Sequence, residues 1–395
     1  MEISDIIPKD GVPQRIYCGN CNAHTELAFF DFDEIVSGVA IKICGLPVLR
    51  CPKCGHEQLP DGSRFAIVNI HKEAFERSSK VVRVERRKHT EKFGFTNVPF
   101  LFDPDDYFYL PGLYRSFDEG FLQPVFFNRS VLLKYDNSPA YRVKFASTTY
   151  GSIDTQEDSI SFGLNRHGHV VMWLGDIAKL PENEQFYLRS ENIPSDHSLG
   201  SEFYDGQIEA VFTELTKEEE LFRLRSEFLN KSFSRFGVAF GHLEAEAYDL
   251  ALSFNPPVVD TPKERRHVAD TLNKVYLESL DNAALDGVVK SLGAKSPGPG
   301  SLKRLQTIVE TMASKKEVAT LMSPLYVLYD LRVAYSHLTP GSNSPQLESV
   351  TRRLGLETDA SLFDIYEKLI AGLSSTFSTM CKILENAGEY KAVPH

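Results

Sequence analysis

The sequence predicts a multidomain chain: a small β unit, a central α+β domain that is mostly β, and a C-terminal all-α helical bundle. Three observations predict it. Two C-x-x-C pairs bracket a stretch of alternating apolar residues near the start. Gly, Pro, Asn and Asp punctuate the chain densely from Asn97 to about Glu214. Beyond Thr216 that punctuation thins, and apolar residues recur at helical spacing.

A chain of 395 residues is longer than one hydrophobic core usually takes, so two to four domains are expected. Its composition, 42% apolar and 25% charged, is ordinary for a globular protein. No apolar run reaches the length of about 18 residues that a membrane span needs. MEISDIIPKDG lacks the basic and apolar regions of a secretory signal, so a cytoplasmic protein is expected.

The first element is residues 1–64. ELAFFDFDEI and GVAIKIC read as strands, with Gly38 at the turn between them. Cys18, Cys21, Cys51 and Cys54 form C-x2-C…x29…C-x2-C. Two residues between thiolates let a tight turn aim both sulfurs at one ion. Four thiolates complete a closed tetrahedral site, which predicts a structural Zn²⁺ and hence a zinc ribbon. The alternatives are two redox pairs or plain buried cysteines. His24, His56 and Cys44 lie nearby and read as bystanders.

This segment, Tyr17 to Asp61, resembles the YgiT-type zinc finger at the N-terminus of MqsA-type antitoxins. The resemblance is carried by CGNC and by G-x-P-x-x-x-C-x-x-C-G from Gly45 to Gly55. It implies a zinc fold and a surface that docks a protein partner. In that family a helix-turn-helix binds DNA, and none is evident here.

Residues 65–96 read as a basic helical linker. Phe65 to Ser79 has helical spacing, and VVRVERRKHTEK follows. Residues 64–93 carry 9 basic and 4 acidic side chains, net +5, against −11 for the whole chain. The stretch either grips a nucleic-acid backbone or is a solvated helix end. Residues 97–215 read as an acidic α+β domain, with AYRVKFAST, HVVMWLG and SVLLKY as strands. His167 and His169 would share a face if extended and could bind a metal, although a turn with exposed histidines explains them too. The aromatics of YFYLPGLY and GFLQPVFF are either core or base-stacking platforms. No Walker loop, H-E-x-x-H or nucleophile elbow is present.

Residues 216–258 read as a helical connector, opened by a capping box at Thr216 and Glu219. NPPVVDTP, Asn255 to Pro262, marks a boundary. Thr261, Pro262 and Glu264 restart a helix. Residues 259–395 then read as a bundle with helices at 262–280, 282–293, 302–313, 315–338 and 359–387. Ser314 and Glu317 cap the fourth, Pro324 kinks or restarts it, and Pro340 and Gly341 stop it. In the last, Leu362, Ile365, Tyr366, Leu369, Leu373, Phe377, Met380 and Leu384 make one apolar stripe.

LYDLRVAYSHL, Leu328 to Leu338, places Arg332 and His337 in an apolar helix. Burying a guanidinium is costly unless it is paired, and a polar cleft at a dimer interface would remove the cost. Histidine can move protons near neutral pH, and arginine offers forked donors to a phosphate. Five residues turn about 140° on a helix, so one chain cannot easily focus both on one phosphate; two symmetry-related helices can. Asp330 and Ser336 are neighbours that could tune such a site. The plain alternative is a structural Arg and a His capping a helix end.

The segment from Pro262 to Gly388 resembles the HEPN family, helical bundles, often homodimeric, that carry R-x4-6-H. DLRVAYSHL matches that motif, with Val333 after the arginine and Thr339 where one subgroup has tyrosine. The resemblance implies a metal-independent endoribonuclease that cuts RNA in a dimeric cleft, of the kind found in toxin–antitoxin and anti-phage defence systems. The acidic domain would then sense a partner or restrain the nuclease. The other expectation is a non-catalytic protein that docks protein or nucleic-acid partners through ribbon and bundle.

Overall fold

A computed structural model describes residues 1–8, 13–155, 158–211, 215–295, 297–336 and 345–386. The chain forms two compact units, Met1–Glu214 and Leu215–His395. Antiparallel sheets dominate the first and helices the second. Among the described residues, no helix is long and apolar enough to cross a membrane.

The first unit begins with a helical turn, α1 (Ile3–Ile6), followed by an antiparallel hairpin of β1 (Glu26–Val36) and β2 (Val39–Arg50). Ser37 and Gly38 make the turn, with φ of 41° and 84°. Two consecutive left-handed residues give the twist that a two-residue hairpin needs. β3 (Glu57–Gln58) pairs with the far end of β2. Next come α2 (Asp61–Glu76) and β4 (Val81–Glu85), which lies parallel to β2. Ile67 and Ala74 of α2 close over Phe32, Val36, Ile41, Ile43 and Leu46.

The basic linker is thus helical only in its first part; VVRVE is an edge strand. Val81, Arg83 and Glu85 are exposed, whereas Val82 and Val84 face the core, a period of two. Past it, Arg86 and Lys88 are taken up by acids, Asp105 at 2.6 Å and Asp103 at 2.7 Å.

The second sheet has six strands: β5 (Pro124–Phe127), β6 (Arg142–Ser147), β7 (Tyr150–Asp154), β8 (Ser159–Leu164), β9 (Val170–Trp173) and β10 (Asn192–Ile193). Their order is β10-β5-β9-β8-β7-β6, with antiparallel neighbours throughout. Both faces of β5 and β9 are buried, as their unbroken apolar runs require. Short helices surround the sheet: α3 (Pro104–Tyr109), α4 (Leu133–Asn137), α5 (Leu174–Ile177), α6 (Glu182–Ser190) and α7 (Glu202–Gln207). AYRVKFAST and HVVMWLG form strands. SVLLKY does not: it is a 3₁₀ turn, Arg129–Leu132, running into α4. Val131, Leu132 and Tyr135 are buried at one-turn spacing, and a short apolar run does not tell a strand from a buried helix.

In the second unit the capping boxes act as read. α8 (Lys217–Phe236) starts with Thr216 accepting from the Glu219 amide. α9 (Glu244–Ser253) and α10 (Pro262–Asn273) follow, the latter capped by Thr261 and ending in a π-helical turn, Lys274–Glu278. Then come α11 (Asn282–Ser291), α12 (Ser301–Glu310), α13 (Lys315–Ser336), α14 (Pro345–Leu354) and α15 (Leu362–Asn386). The sequence reading contains no counterpart of α14. The predicted stripe of α15 is buried along its length. The connector segment belongs to this core: Leu221, Phe228 and Leu229 of α8 pack with Phe377 and its neighbours.

Pro324 stays inside α13 without ending it. α15 accommodates it with Gly372, where a Cβ would come within 3.2 Å of the proline ring. One turn on, the Thr376 hydroxyl donates to the Leu321 carbonyl at 2.8 Å.

Candidate functional site

The four cysteines come together. Cys18 Sγ is 3.6 Å from Cys54 Sγ, and Cys21 Sγ is 3.5 Å from Cys51 Sγ. All four sulfurs lie within 4.8 Å of one another. A tetrahedron with metal–sulfur bonds of about 2.3 Å has edges of about 3.8 Å, so the donor set and spacing fit one metal ion.

Two matching turns build this cluster. Asn22 N–H donates to the Cys18 carbonyl at 2.9 Å, and Gly55 N–H to the Cys51 carbonyl at 2.9 Å. The Cys18 and Cys51 amides donate to the Ala23 and His56 carbonyls, each at 2.8 Å. Asn22 and Gly55 both adopt positive φ, 56° and 72°. The sulfurs receive donors as well. Asn20 N–H points at Cys18 at 3.4 Å, and its side-chain amide at Cys54 at 3.6 Å. Backbone donation around His56, with Asn20, brings the Cys54 thiol down to about 6. At Cys21 an amide acts the same way, but desolvation and the neighbouring thiols push it up to about 12. Four clustered thiolates repel one another unless a cation holds them.

The nearby candidates are not ligands. His24 stacks on Tyr17 and bonds Asp205 at 2.9 Å. His56 contributes its carbonyl, and Cys44 lies in β2 outside the cluster. His167 and His169 occupy the β8–β9 turn. Asn165 Oδ1 accepts both of their amides, and His169 Nδ1 meets Asp196 at 2.7 Å. Among the described residues they join no metal-holding group.

In the second unit, Arg332 lies in α13 four residues before Ser336, its side chain 41% exposed. α13 is apolar on both faces, and its buried side changes along its length: Val318, Met322 and Leu325 are buried in the first part, and Val327, Leu328 and Leu331, on the opposite side, toward the end. Toward the end of the helix the side that carries Val318, Met322 and Leu325 earlier opens: Tyr329 is 50% exposed, with Arg332, Val333 and Ser336 partly open. His337 lies outside the described residues.

α10 supplies what the motif did not name. Asp270 Oδ1 accepts from Ser336 Oγ at 2.9 Å and lies 3.7 Å from Arg332 Nε. Arg266, one turn earlier on α10, donates to the Tyr335 carbonyl at 3.3 Å. Around the end of α13 thus stand Arg332, Arg266 and, donating to the Tyr335 hydroxyl at 3.3 Å, Arg265, together with the Asp270 carboxylate and the Ser336 hydroxyl. Asp330, the other neighbour named from sequence, turns away to Arg353 of α14 at 2.8 Å. A single Asp on an amphipathic helix leaves no sequence signal, so Asp270 is legible only from packing.

No family model, curated protein or solved structure matches this chain.

Proposed function

We propose that this chain is a metal-independent endoribonuclease of HEPN type, with Arg332 and His337 as its catalytic pair. The observation that carries the reading is the position of Arg332. It is a half-exposed arginine at a helix end, loosely paired at 3.7 Å and therefore able to turn to a phosphate. His337, the next residue after Ser336, would take the proton of an RNA 2′-hydroxyl as that oxygen attacks the adjacent phosphorus. A protonated histidine would return a proton to the departing 5′-oxygen. Arg332 would hold the charge that builds on the phosphate oxygens, with Arg266 adding to the local positive field. Asp270 would orient Arg332 and Ser336. The uncovered face around Tyr329 supports a homodimer in which two such helix ends share one groove. A toxin–antitoxin or anti-phage role in the cytoplasm, with a protein partner at the cysteine knuckles or the acidic region, follows from the same resemblances.

We assign the four cysteines to a structural Zn²⁺. Cys18, Cys21, Cys51 and Cys54 would hold it, and it would supply a cross-link between the two knuckles without taking part in chemistry.

A second reading is favoured by the Arg332–Asp270 pair itself: the two groups satisfy each other in a docking surface without catalysis. One experiment separates the readings. Purified protein is incubated with total RNA in excess EDTA, beside Arg332→Ala and His337→Ala variants whose folding is matched by circular dichroism. Cleavage by the parent, lost in both variants, supports the nuclease. Cleavage retained in both variants refutes these residues as catalysts, and RNA left intact by the parent supports the docking surface.

A further inference from the structure

Lys134, in α4, is enclosed by aromatic rings. Its Nζ lies 4.5 Å from the Tyr187 ring centroid, 5.6 Å from Tyr135 and 6.0 Å from Tyr141. Tyr135 stands edge-on to both other rings, at centroid distances of 4.9 and 5.6 Å. The floor is Glu184 of α6, its side chain only 8% exposed, whose two oxygens accept from Nζ at 2.7 and 2.6 Å. Tyr135 Oη donates to the same carboxylate at 3.2 Å, and Tyr187 Oη is fixed on the Val131 carbonyl at 2.9 Å. Three phenol faces around a buried carboxylate are the chemistry that binds organic cations.

The dimensions bear on which cation. A methyl carbon rests about 3.5–4.0 Å from an aromatic carbon, and its bond to nitrogen adds about 1.5 Å. A methylated ammonium nitrogen therefore prefers to stand about 5 Å from each ring plane. The Lys134 Nζ distances to the ring centroids, 4.5, 5.6 and 6.0 Å, lie around that value, and a fully methylated nitrogen, with no N–H to donate, would stand farther from Glu184 than the ammonium does. Tyr141 also forms part of a second surface, an open groove lined by Arg142, Lys144 and Asp154, with about 760 Å³ available to solvent. The Lys134 side chain is 33% exposed, so it can leave outward without unpacking a core. Burial pushes the pKa of all three phenols up, and Glu184 adds to the shift, so the rings stay neutral.

We propose that Tyr135, Tyr141, Tyr187 and Glu184 form a receptor for a methylated ammonium group, reached from the groove beside Tyr141 and closed in the free protein by Lys134. Lys134 is the in-chain competitor: a ligand must displace it, and removing it leaves a buried, unpaired carboxylate that calls for a cation. The inference does not rest on the nuclease reading.

The test uses the full chain with Lys134→Ala. Tetramethylammonium chloride is titrated against potassium chloride of equal ionic strength, with the melting temperature and ligand-observed NMR as readouts. Saturable binding and a concentration-dependent rise in Tm are expected, with apparent affinity for the parent protein lower by about ten-fold or more because Lys134 competes. Adding E184Q or Y187A to the variant should abolish the effect. Choline and a trimethyllysine peptide, each compared with its unmethylated counterpart, separate a free ligand from a protein-borne one. A folded Lys134→Ala protein that shows no saturable response overturns the proposal; so does a response that survives E184Q and Y187A. Should Lys134→Ala not fold, Lys134→Met keeps the apolar stem and takes the same titration.

Discussion

Replacing Cys51 by serine removes one thiolate from a site built by two turns. Cys51 is 1% exposed, lies 3.5 Å from Cys21 and directly follows β2, so its loss reaches both the proposed metal site and the hairpin. Hydroxyl oxygen is a poor ligand for a soft four-sulfur site. Structural zinc contributes about 10–16 kcal/mol of binding free energy in small zinc domains, as much as the whole stability of a typical domain, about 5–15 kcal/mol. If local relaxation leaves the first unit short by only about 3 kcal/mol, Tm falls by about 6–12 °C for a unit of this size. The assay is metal content by atomic emission together with scanning calorimetry, with Cys44→Ser as control because Cys44 is outside the cluster. Parent and control should carry one ion per chain, and Cys51→Ser less. Binding should also release protons at pH 7, since Cys21 is held at about 12. Equal metal content and equal Tm in Cys51→Ser and Cys44→Ser would refute the reasoning.

Other perturbations have smaller, graded outcomes. Phe377→Ala, at a side chain 1% exposed between Phe228 and Tyr276, should cost about 3–5 kcal/mol in urea unfolding of the second unit. Thr216→Ala removes one half of a capping box and should cost about 1 kcal/mol, read as a lower denaturation midpoint at unchanged slope. Asp260 is hydrogen-bonded by Arg265, which holds its carboxyl below the usual range despite partial burial, and it also accepts the Leu362 amide at 2.9 Å. A depressed folded-state value means that this stability is present above the unfolded carboxylate range, near pH 4, and fades as pH falls through the lower folded value. Asp260→Asn should therefore lower stability above about pH 4 and flatten the acid limb of the stability–pH curve, read by urea unfolding at a series of pH values.

The features legible in the sequence were those whose chemistry is local. C-x-x-C fixes where two sulfurs point, and Asn22 and Gly55 supply the backbone that closes each turn. Thr216 with Glu219, and Ser314 with Glu317, name helix starts because cap and partner are three residues apart. Features that depend on what packs from elsewhere were not legible. SVLLKY has strand-like composition but turns helical where Val131, Leu132 and Tyr135 enter the core. VVRVE looks like charged helix until β2 offers it an edge. α13 is apolar on both faces, and only the positions of α10, α12, α14 and α15 decide which of its residues are covered. Asp270 and the rings around Lys134 are brought together from distant parts of the chain, so no spacing could announce them.

The seat that Gly372 gives Pro324 has a consequence for the far end of α13. A proline ring inside a helix is a protrusion that cannot be moved along the axis, and Gly372 with Thr376 is a socket of fixed height. Sliding α13 by one turn, about 5.4 Å, would set the ring against a side chain instead. Arg332 lies eight residues beyond Pro324, about 12 Å along the axis. The pair therefore works as an indexing pin: it sets the axial height at which the arginine meets Asp270 of α10.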